Sequence, residues 1–340
     1  MSSLADRSVH PYGLLLASLA RLEGWDGALF GAARRGELVR VRPGVYLPPA
    51  AWEGLSPTQR HLARMHAAAL TLRGTVFSHQ SAAVAHGLPL LTRRLDRVHL
   101  LQRTGKGSGA RAGAVVHAFS GDADVVLRGG LRITGGARTV MDLARTLPHA
   151  EALAAADAAL RAPSRTGQDR RRGPVATQAE LLARAEQLIG SRNGHAAYLV
   201  AAEADPRAGS PGESFSRSLV LRLGAPRPEL QVAFHDGDGL IGYGDLYWRE
   251  WDVLGEFDGR LKYGADNPSG LPPETVVYRE KLREDRLRRV CRRVIRFGWA
   301  DLEDPPRFAA LLSGAGIPLD PRAAWPELRT IARSHVRPGA

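Results

Sequence analysis

Cysteine and lysine are both scarce in this sequence, and each scarcity excludes something. Cys291 is the only cysteine among 340 residues, so neither an intrachain disulfide nor a cysteine-based structural zinc site is possible. Lysine occurs only at Lys106, Lys262 and Lys281, whereas lysine and arginine together number 47. Arginine therefore carries nearly all of the positive charge.

Long apolar runs are also missing. The longest run near the start, residues 13–20, is too short to span a membrane. With Arg7 before it, this run is similar to the core of a signal peptide. However, Leu22 and Leu29 continue the same helical pattern into sequence that has the composition of a folded protein, which argues against a signal peptide. We therefore expect a cytoplasmic protein without a membrane partner.

The sequence has a strong excess of positive charge and an ordinary apolar content. The formal net charge is +12, with 44% hydrophobic and 24% charged residues. This charge favours a polyanionic partner, because neutralised phosphates release condensed counterions. The arginine- and alanine-rich composition of a GC-rich genome explains the charge equally well. The length allows two or three domains, each with its own core, and the mixture of helix and strand patterns predicts an α+β or α/β fold.

A basic hairpin is predicted within residues 34–46. Apolar residues alternate there with arginines, and Pro43–Gly44 supplies a turn. A basic hairpin after two short helices is the layout of a winged helix-turn-helix, so residues 1–75 are predicted to form a winged-helix DNA-binding element. Its candidate DNA contacts are Arg34, Arg35, Arg40 and Arg42.

Residues 76–161 are predicted to form a small mixed α/β domain. The helix that precedes this domain is predicted to start at a capping box of Ser56 and Gln59 and to run to about Arg73. A helix closed by Gly87, strands at 98–101 and 114–118, and a helix from Arg138 follow. His79 and His86 are spaced as potential zinc ligands, but no third ligand lies at a usual distance, and packing or capping histidines are the other interpretation.

Three motifs of the first half can be compared with known families, and they lie at 40–46, at 78–83 with 86–88, and at 137–144. Through these motifs the chain resembles the amino-terminal region of abortive-infection type IV antitoxins and related actinobacterial proteins. The resemblance covers about residues 10–160, and it implies a winged-helix DNA-binding element followed by a small mixed domain. None of its motifs is catalytic.

A proline-, glycine- and arginine-rich stretch, residues 162–176, is predicted to be a linker. Residues 177–207 are predicted to be connecting helices, the first starting at a capping box of Thr177 and Glu180 and ending near Ile189.

Three strands are predicted beyond the connecting helices, at 230–234, 243–248 and 253–257. If the last two form a hairpin centred on Glu250 and Trp251, Asp245 faces Glu256 with their Cβ atoms ~5 Å apart. Two facing carboxylates repel each other, and a hard cation such as Mg²⁺ would remove that cost.

Further candidates surround this pair. Asp258 shares the strand face of Glu256, and Lys262 could steady an attacking hydroxide or a phosphate. Glu213 has two interpretations that do not exclude each other, since it could complete a capping box with Ser210 or act as a metal ligand.

The predicted helix 274–294 is strongly charged. Lys281, Asp285, Arg288 and Arg292 follow one face, and Glu284 and Arg288 form a favourable pair four residues apart. The face is either a solvated surface or a surface that follows phosphates. For the second case the candidate DNA contacts are Arg283 and Arg288.

Five motifs of this region can be compared with known families, and they lie at 212–214, 244–248, 256–259 with 262–263, 280–285 with 287–288, and 294–297. Through these motifs the region resembles the very-short-patch-repair-like endonucleases, a branch of the PD-(D/E)xK nucleases. The resemblance covers about residues 208–303 and implies a restriction-endonuclease fold with a mixed sheet of about four strands. It also implies that Asp245 and Glu256 hold Mg²⁺, or Mn²⁺ in its place, with help from Glu213. The nuclease-like domain is predicted at 208–312 and a tail at 313–340.

The sequence departs from the nuclease signature at one position. The signature Glu-x-Lys is Glu256-Phe257-Asp258 here, so the catalytic lysine is expected at Lys262 or Lys281.

Three functional hypotheses follow. The first is a DNA-binding, metal-dependent endonuclease, and the second is a DNA-binding regulator of antitoxin type whose nuclease-like domain has lost its chemistry. The third, a purely structural basic protein, leaves the ordered carboxylates unexplained. DNA is the expected partner of the first two, whereas neither a toxin partner nor an oligomeric state follows from the sequence.

Overall fold

The computed structural model describes residues 10, 12–91, 95–103, 109–111, 113–119, 122–162, 173–259, 273–320 and 322–323. The chain is a mixed α+β protein with three sheets and divides into two compact units, Met1–Leu143 and Ala144–Ala340. None of the helices in these ranges has the length and apolar character that crossing a membrane requires.

A three-stranded antiparallel sheet with order β1-β3-β2 opens the first unit. The predicted basic hairpin is confirmed as β2 and β3, and Gly44 in its turn has a φ of 79°. The strands are β1 (Leu15–Leu16), β2 (Val39–Arg42) and β3 (Val45–Leu47), and the helices around them are α1 (Ala17–Leu22), α2 (Asp26–Arg34), α3 (Pro49–Glu53) and α4 (Pro57–Thr71).

The predicted capping box at the start of α4 is also confirmed. Ser56 Oγ accepts a hydrogen bond from the Gln59 amide at 3.3 Å, and Gln59 Oε1 accepts one from the Ser56 amide at 2.8 Å. The helix ends at Thr71, two residues before the predicted end at Arg73.

A six-stranded mixed sheet with order β6-β7-β5-β4-β9-β8 completes the first unit. Met65, Phe77 and Ile133 are fully buried in its core. Strands β6, β8 and β9 of this sheet were not predicted from the sequence. The elements are β4 (Val76–Phe77), α5 (His79–His86), β5 (Val98–Arg103), β6 (Gly109–Arg111), β7 (Ala114–Phe119), β8 (Val125–Arg128), β9 (Leu131–Thr134) and α6 (Gly136–Ala144).

The two histidines considered as zinc ligands have protein partners in this unit. His86 is buried and its Nε2 lies 2.8 Å from the Thr134 carbonyl oxygen, and His79 Nδ1 lies 2.9 Å from Ser78 Oγ. Both side chains therefore have the contacts that the packing interpretation requires, although His86 Nδ1 is buried without a hydrogen-bond partner among the described residues.

The second unit is built around a four-stranded sheet with order β10-β11-β12-β13. Its first two pairs are antiparallel and β12 pairs with β13 in parallel, which is the mixed sheet of about four strands that was expected. The strands are β10 (Glu229–Asp236), β11 (Gly239–Trp248), β12 (Val253–Phe257) and β13 (Arg293–Phe297).

Seven helices of the described residues belong to this unit. Helix α11 covers one face of the sheet, where Leu287 packs with Phe234 and Leu254. Helices α10, α12 and α13 contribute Leu219, Leu302 and other residues to the core on the opposite face. The helices are α7 (His149–Leu160), α8 (Gln178–Glu186), α9 (Gly194–Glu203), α10 (Pro211–Arg222), α11 (Pro273–Val290), α12 (Trp299–Leu302) and α13 (Pro305–Gly314).

Two segment assignments made from the sequence differ from this packing. Helix α7, which was grouped with the mixed domain ending at 161, packs on α10 in the second unit, and the fully buried Asp157 pairs there with Arg217 at 3.0 Å. The core also extends to the buried Ile317, inside the predicted tail, because α13 closes one face of the sheet.

The predicted linker, 162–176, lies mostly outside the described residues. At its far end the amides of Val175 and Ala176 donate to the Ala159 carbonyl. The predicted capping box of Thr177 and Glu180 is confirmed, although its helix ends at Glu186 instead of near Ile189.

Candidate functional site

The hairpin of β11 and β12 brings Asp245 opposite Glu256. Its register pairs Leu246 with Gly255 and Trp248 with Val253, which confirms the register derived from the sequence. The ladder stops one position before the two acids, where the Asp245 side chain replaces a backbone partner. Its Oδ2 accepts a hydrogen bond from the Phe257 amide at 2.9 Å.

Glu256 is a buried carboxylate with only one of its oxygens satisfied. It is 5% exposed, and its Oε1 accepts a hydrogen bond from Arg283 at 2.6 Å. Its Oε2 is buried without a hydrogen-bond partner among the described residues. Burial raises the pKa of Glu256, the ion pair with Arg283 opposes this shift, and the charge of Asp245 adds to it.

Arg283 on α11 is the arginine that forms an ion pair with Glu256. Besides Glu256, it donates to the Tyr243 carbonyl at 2.8 Å and to Glu280 Oε1 at 3.3 Å. Gly242, whose φ is 151°, makes room for it, since a Cβ atom there would lie 2.9 Å from Arg283 Nε. From the sequence, Arg283 was expected to contact DNA and a lysine to be the catalytic cation, but in the structure Arg283 itself forms the ion pair with Glu256.

Gln231 links two of the acidic side chains and was missed by the sequence analysis. Its Nε2 donates to Glu213 Oε2 at 3.0 Å and to Asp245 Oδ1 at 3.2 Å. Its φ of 51° lies in the left-handed region, which is rare for a residue other than glycine, asparagine or aspartate. Leu230 and Val232 on either side of it pack into opposite cores, so the strand alternation breaks at this residue.

Glu213 lies at the first turn of α10 and is 8% exposed. Ser210 Oγ accepts a hydrogen bond from the Glu213 amide at 3.3 Å, which is one half of the predicted capping box. The reciprocal half is wrong, because Glu213 Oε2 accepts from the Gly209 amide at 2.7 Å instead of the Ser210 amide. The carboxylate is thereby oriented toward Gln231.

Asp258 lies next to Arg296 on β13. Its Oδ2 is 3.6 Å from Arg296, which also forms ion pairs with Glu280 at 3.3 Å and Glu284 at 2.8 Å. Arg296 is the register partner of Glu256 on the neighbouring parallel strand. A second arginine, Arg296, therefore lies beside the acidic pair and forms an ion pair with Asp258, which was predicted to be a metal ligand.

The four carboxylates predicted as metal ligands do not come together as one group in the described part of the chain. Within the described ranges, no group of three or more histidine, cysteine, aspartate or glutamate side chains is arranged to hold a metal ion. The facing acids Asp245 and Glu256 are the pair that remains, with Glu213 connected to Asp245 through Gln231 and Asp258 held by Arg296.

Of the two candidate lysines, Lys262 lies outside the described residues. Lys281 is exposed on α11 and forms no ion pair with any residue that the structure describes. Arg288 on the same helix is exposed and pairs with Glu284 at 2.5 Å, which confirms the predicted pair four residues apart.

The candidate DNA contacts of the first unit lie on α2, just beyond it, and on β2. Arg34 and Arg40 are exposed, and Arg35 pairs with Glu37 at 2.6 Å. Arg42 is half-buried, its Nε has no hydrogen-bond partner in the described part of the chain, and burial lowers its pKa.

Comparison with known proteins gives no family for this chain. A scan of protein-family models finds no match, and a search of curated proteins finds none either.

Proposed function

We propose that this is a DNA-binding protein whose second unit carries a Mg²⁺-dependent DNA endonuclease centre at Asp245 and Glu256. The observation that carries the proposal is the pair itself. Two carboxylates face each other across a hairpin, and the buried Oε2 of one has no hydrogen-bond partner among the described residues. The two negative charges lie close together, and the unsatisfied Oε2 costs free energy as long as no ligand compensates its burial.

The chemistry of this pair fits a divalent cation of the Mg²⁺ type. Mg²⁺ prefers oxygen ligands, retains several waters and often uses only one or two carboxylates together with substrate phosphates. A site of two carboxylates is therefore sufficient, and a third protein ligand is not required. Mn²⁺ accepts the same ligands.

When bound, such a cation would activate a water molecule and stabilise the charge that develops on a phosphodiester. The protein side chains have separate tasks. The Phe257 amide and Gln231 fix the two oxygens of Asp245, and Gln231 ties Glu213 to the same place. Arg283 and Arg296 provide positive charge for the phosphate beside the pair.

The fold supports the same proposal in each unit. The four-stranded mixed sheet with α10 before it and α11 between its last two strands has the layout of a restriction-endonuclease-like domain. The hairpin of β2 and β3, with Arg40 exposed beside two short helices, has the layout of a winged helix that binds DNA. Both layouts agree with the sequence resemblances, to antitoxin-type proteins in the first half and to very-short-patch-repair-like endonucleases in the second.

A second candidate function is a DNA-binding regulator of antitoxin type without catalysis. The observation in its favour is the ion pair of Arg283 and Glu256, which neutralises a carboxylate that a metal ion would need. In that case the acidic pair and its arginines are only a structural network.

Nicking of supercoiled plasmid in Mg²⁺ or Mn²⁺ separates the two functions. Asp245→Asn and Glu256→Gln preserve shape and remove one carboxylate each, and Asp238→Asn, at an exposed turn, removes an equal charge elsewhere. We expect nicking by wild type and Asp238→Asn and a loss of at least about 100-fold in the other two, the order of effect seen when a catalytic electrostatic group is removed. Equal nicking by all four proteins, or none by any while duplex DNA is bound, supports the regulator instead.

A further inference from the structure

Arg283 has several acceptors within reach, and this makes its position adjustable. Its guanidinium donates to Glu256, to the Tyr243 carbonyl and, more weakly at 3.3 Å, to Glu280. The side chain is 24% exposed, so it is accessible to solvent although its guanidinium contacts the buried carboxylate. An arginine in this setting can exchange one oxyanion for another without leaving the site.

The two carboxylate oxygens of Glu256 differ in their hydrogen bonding. Oε1 is bound by the guanidinium, whereas the buried Oε2 has no partner among the described residues. A divalent cation bound at Oε2 would lie beside the guanidinium, and the two positive charges would repel each other. Arg283 and a metal ion therefore compete for the same carboxylate.

We infer that the ion pair of Arg283 with Glu256 hinders metal binding and that DNA binding breaks this ion pair. We call this ion pair the lock. Without DNA, Arg283 neutralises Glu256 and weakens the binding of a divalent cation. A DNA phosphate draws the guanidinium away, because the planar fork of arginine binds phosphate oxygens in a bidentate way. Glu256 then becomes free for the cation, so DNA and metal ion bind cooperatively. This inference rests on the proposed metal-dependent function.

The lock explains two features that the proposed function alone does not. An arginine, and not a lysine, forms the contact with Glu256, and the glycine at 242 leaves space for its side chain. The nearby Glu280 gives the displaced guanidinium a second anionic neighbour, which lowers the cost of leaving Glu256.

Binding of Mn²⁺ to the full chain, measured from the paramagnetic resonance of free Mn²⁺, tests the lock without any cleavage reaction. Arg283→Gln removes the charge, and Arg283→Lys keeps a cation near Glu256. Arg279→Gln is the matched control, because it removes one charge from an exposed position of the same helix. Each protein is measured with and without a short duplex oligonucleotide, and thermal unfolding with and without Mn²⁺ verifies that each variant is folded.

Without DNA, we expect Arg283→Gln to bind Mn²⁺ about tenfold more tightly than wild type, within the usual range of coupling between two sites. Arg283→Lys and Arg279→Gln should stay near the wild-type affinity. DNA should tighten Mn²⁺ binding of wild type by a similar factor and leave Arg283→Gln unchanged. Mn²⁺ should also raise the unfolding temperature of Arg283→Gln more than that of wild type.

Two other outcomes overturn different statements. Equal Mn²⁺ affinity in wild type and Arg283→Gln, with or without DNA, overturns the lock and leaves the metal centre standing. Mn²⁺ binding that is absent from every protein, or unchanged by Glu256→Gln, overturns the metal centre and with it the lock.

Discussion

At the residue scale, Gln231 has the least ordinary backbone of the site. It is one of a few non-glycine residues with a positive φ, and its amide bridges two carboxylates. A left-handed backbone costs about 1 kcal/mol or more at such a residue and persists only when the surroundings hold it in place. Here the two hydrogen bonds to Glu213 and Asp245 offset that cost.

Two substitutions at Gln231 separate strain from bridging. Both Gln231→Ala and Gln231→Gly lose the bridge, at about 1–3 kcal/mol. Only glycine adopts a φ of 51° freely, so we expect Gln231→Gly to be more stable than Gln231→Ala by about 1 kcal/mol, the reverse of the usual order in a strand. Urea denaturation measures the unfolding free energy of both variants. An alanine variant at least as stable as the glycine variant would show that the backbone is not strained.

Some residues of the site could be identified from the sequence and others could not. Asp245 and Glu256 follow from counting outward along one hairpin, because strand register is a local property. The role of Arg283 depends on how α11 lies against β12, and a helical pattern does not specify which arginine points inward. Gln231 stands between two apolar residues, so its sequence context indicates an ordinary strand position and gives no signal of a left-handed backbone.

At the scale of elements, three histidines form a stack on the six-stranded sheet. His99 on β5 and His117 on the neighbouring parallel strand β7 lie 2.9 Å apart through their ring nitrogens, and the ring of His79 lies 3.5 Å from that of His117. Burial lowers the pKa of His99 to about 3 and of His117 to about 4. Both rings are therefore neutral in the folded protein at neutral pH.

This stack makes the first unit sensitive to acid. A histidine whose pKa is lowered by folding takes up its proton first in the unfolded chain, so stability is complete above pH 6.5 and is lost as pH falls toward the folded value. At pH 5 we expect a loss of about 2 kcal/mol from His99 and less from the more exposed His117. Urea denaturation at pH 7.5 and at pH 5 measures this loss of unfolding free energy. The double variant His99→Gln, His117→Gln should lose at least about 2 kcal/mol less than wild type between these pH values, while His61, His66 and His86, whose pKa values burial also lowers, still contribute in both proteins. An equal loss in both proteins would contradict the assignment.

The elements themselves were predicted where local chemistry specifies them. The capping boxes before α4 and α8 and the Pro43–Gly44 turn are short-range signals, and all three are confirmed. Strand β8 was missed because Val125, Val126 and Leu127 at the sheet edge are exposed and show no alternation between a buried and a solvent face. Strand β9 does alternate, with Leu131 and Ile133 buried and Arg132 exposed, but at four residues it is short. The place of α7 was also missed, because its alanine-rich sequence does not indicate which neighbour it packs against.

At the scale of the whole molecule, the net charge of +12 is a property that both proposed functions use. We expect duplex DNA binding whose logarithmic affinity falls linearly with the logarithm of salt concentration. Arg40→Gln on the exposed hairpin should weaken binding to all sequences and reduce the slope by about 1. Arg192→Gln, an exposed arginine between α8 and α9, is the control. A slope that is the same in both variants would exclude the hairpin from the DNA interface.

The proposed function requires that Asp245 and Glu256 form a metal-dependent centre for phosphodiester cleavage. Its most direct test is the rate of plasmid nicking as a function of Mg²⁺ concentration, for wild type and Glu256→Gln at equal DNA occupancy. We expect nicking that rises with Mg²⁺ concentration, stops on addition of a chelator and falls by about 100-fold or more in Glu256→Gln. Nicking that is independent of Mg²⁺ or undiminished in Glu256→Gln, or no nicking by bound wild type at any Mg²⁺ concentration, would contradict it.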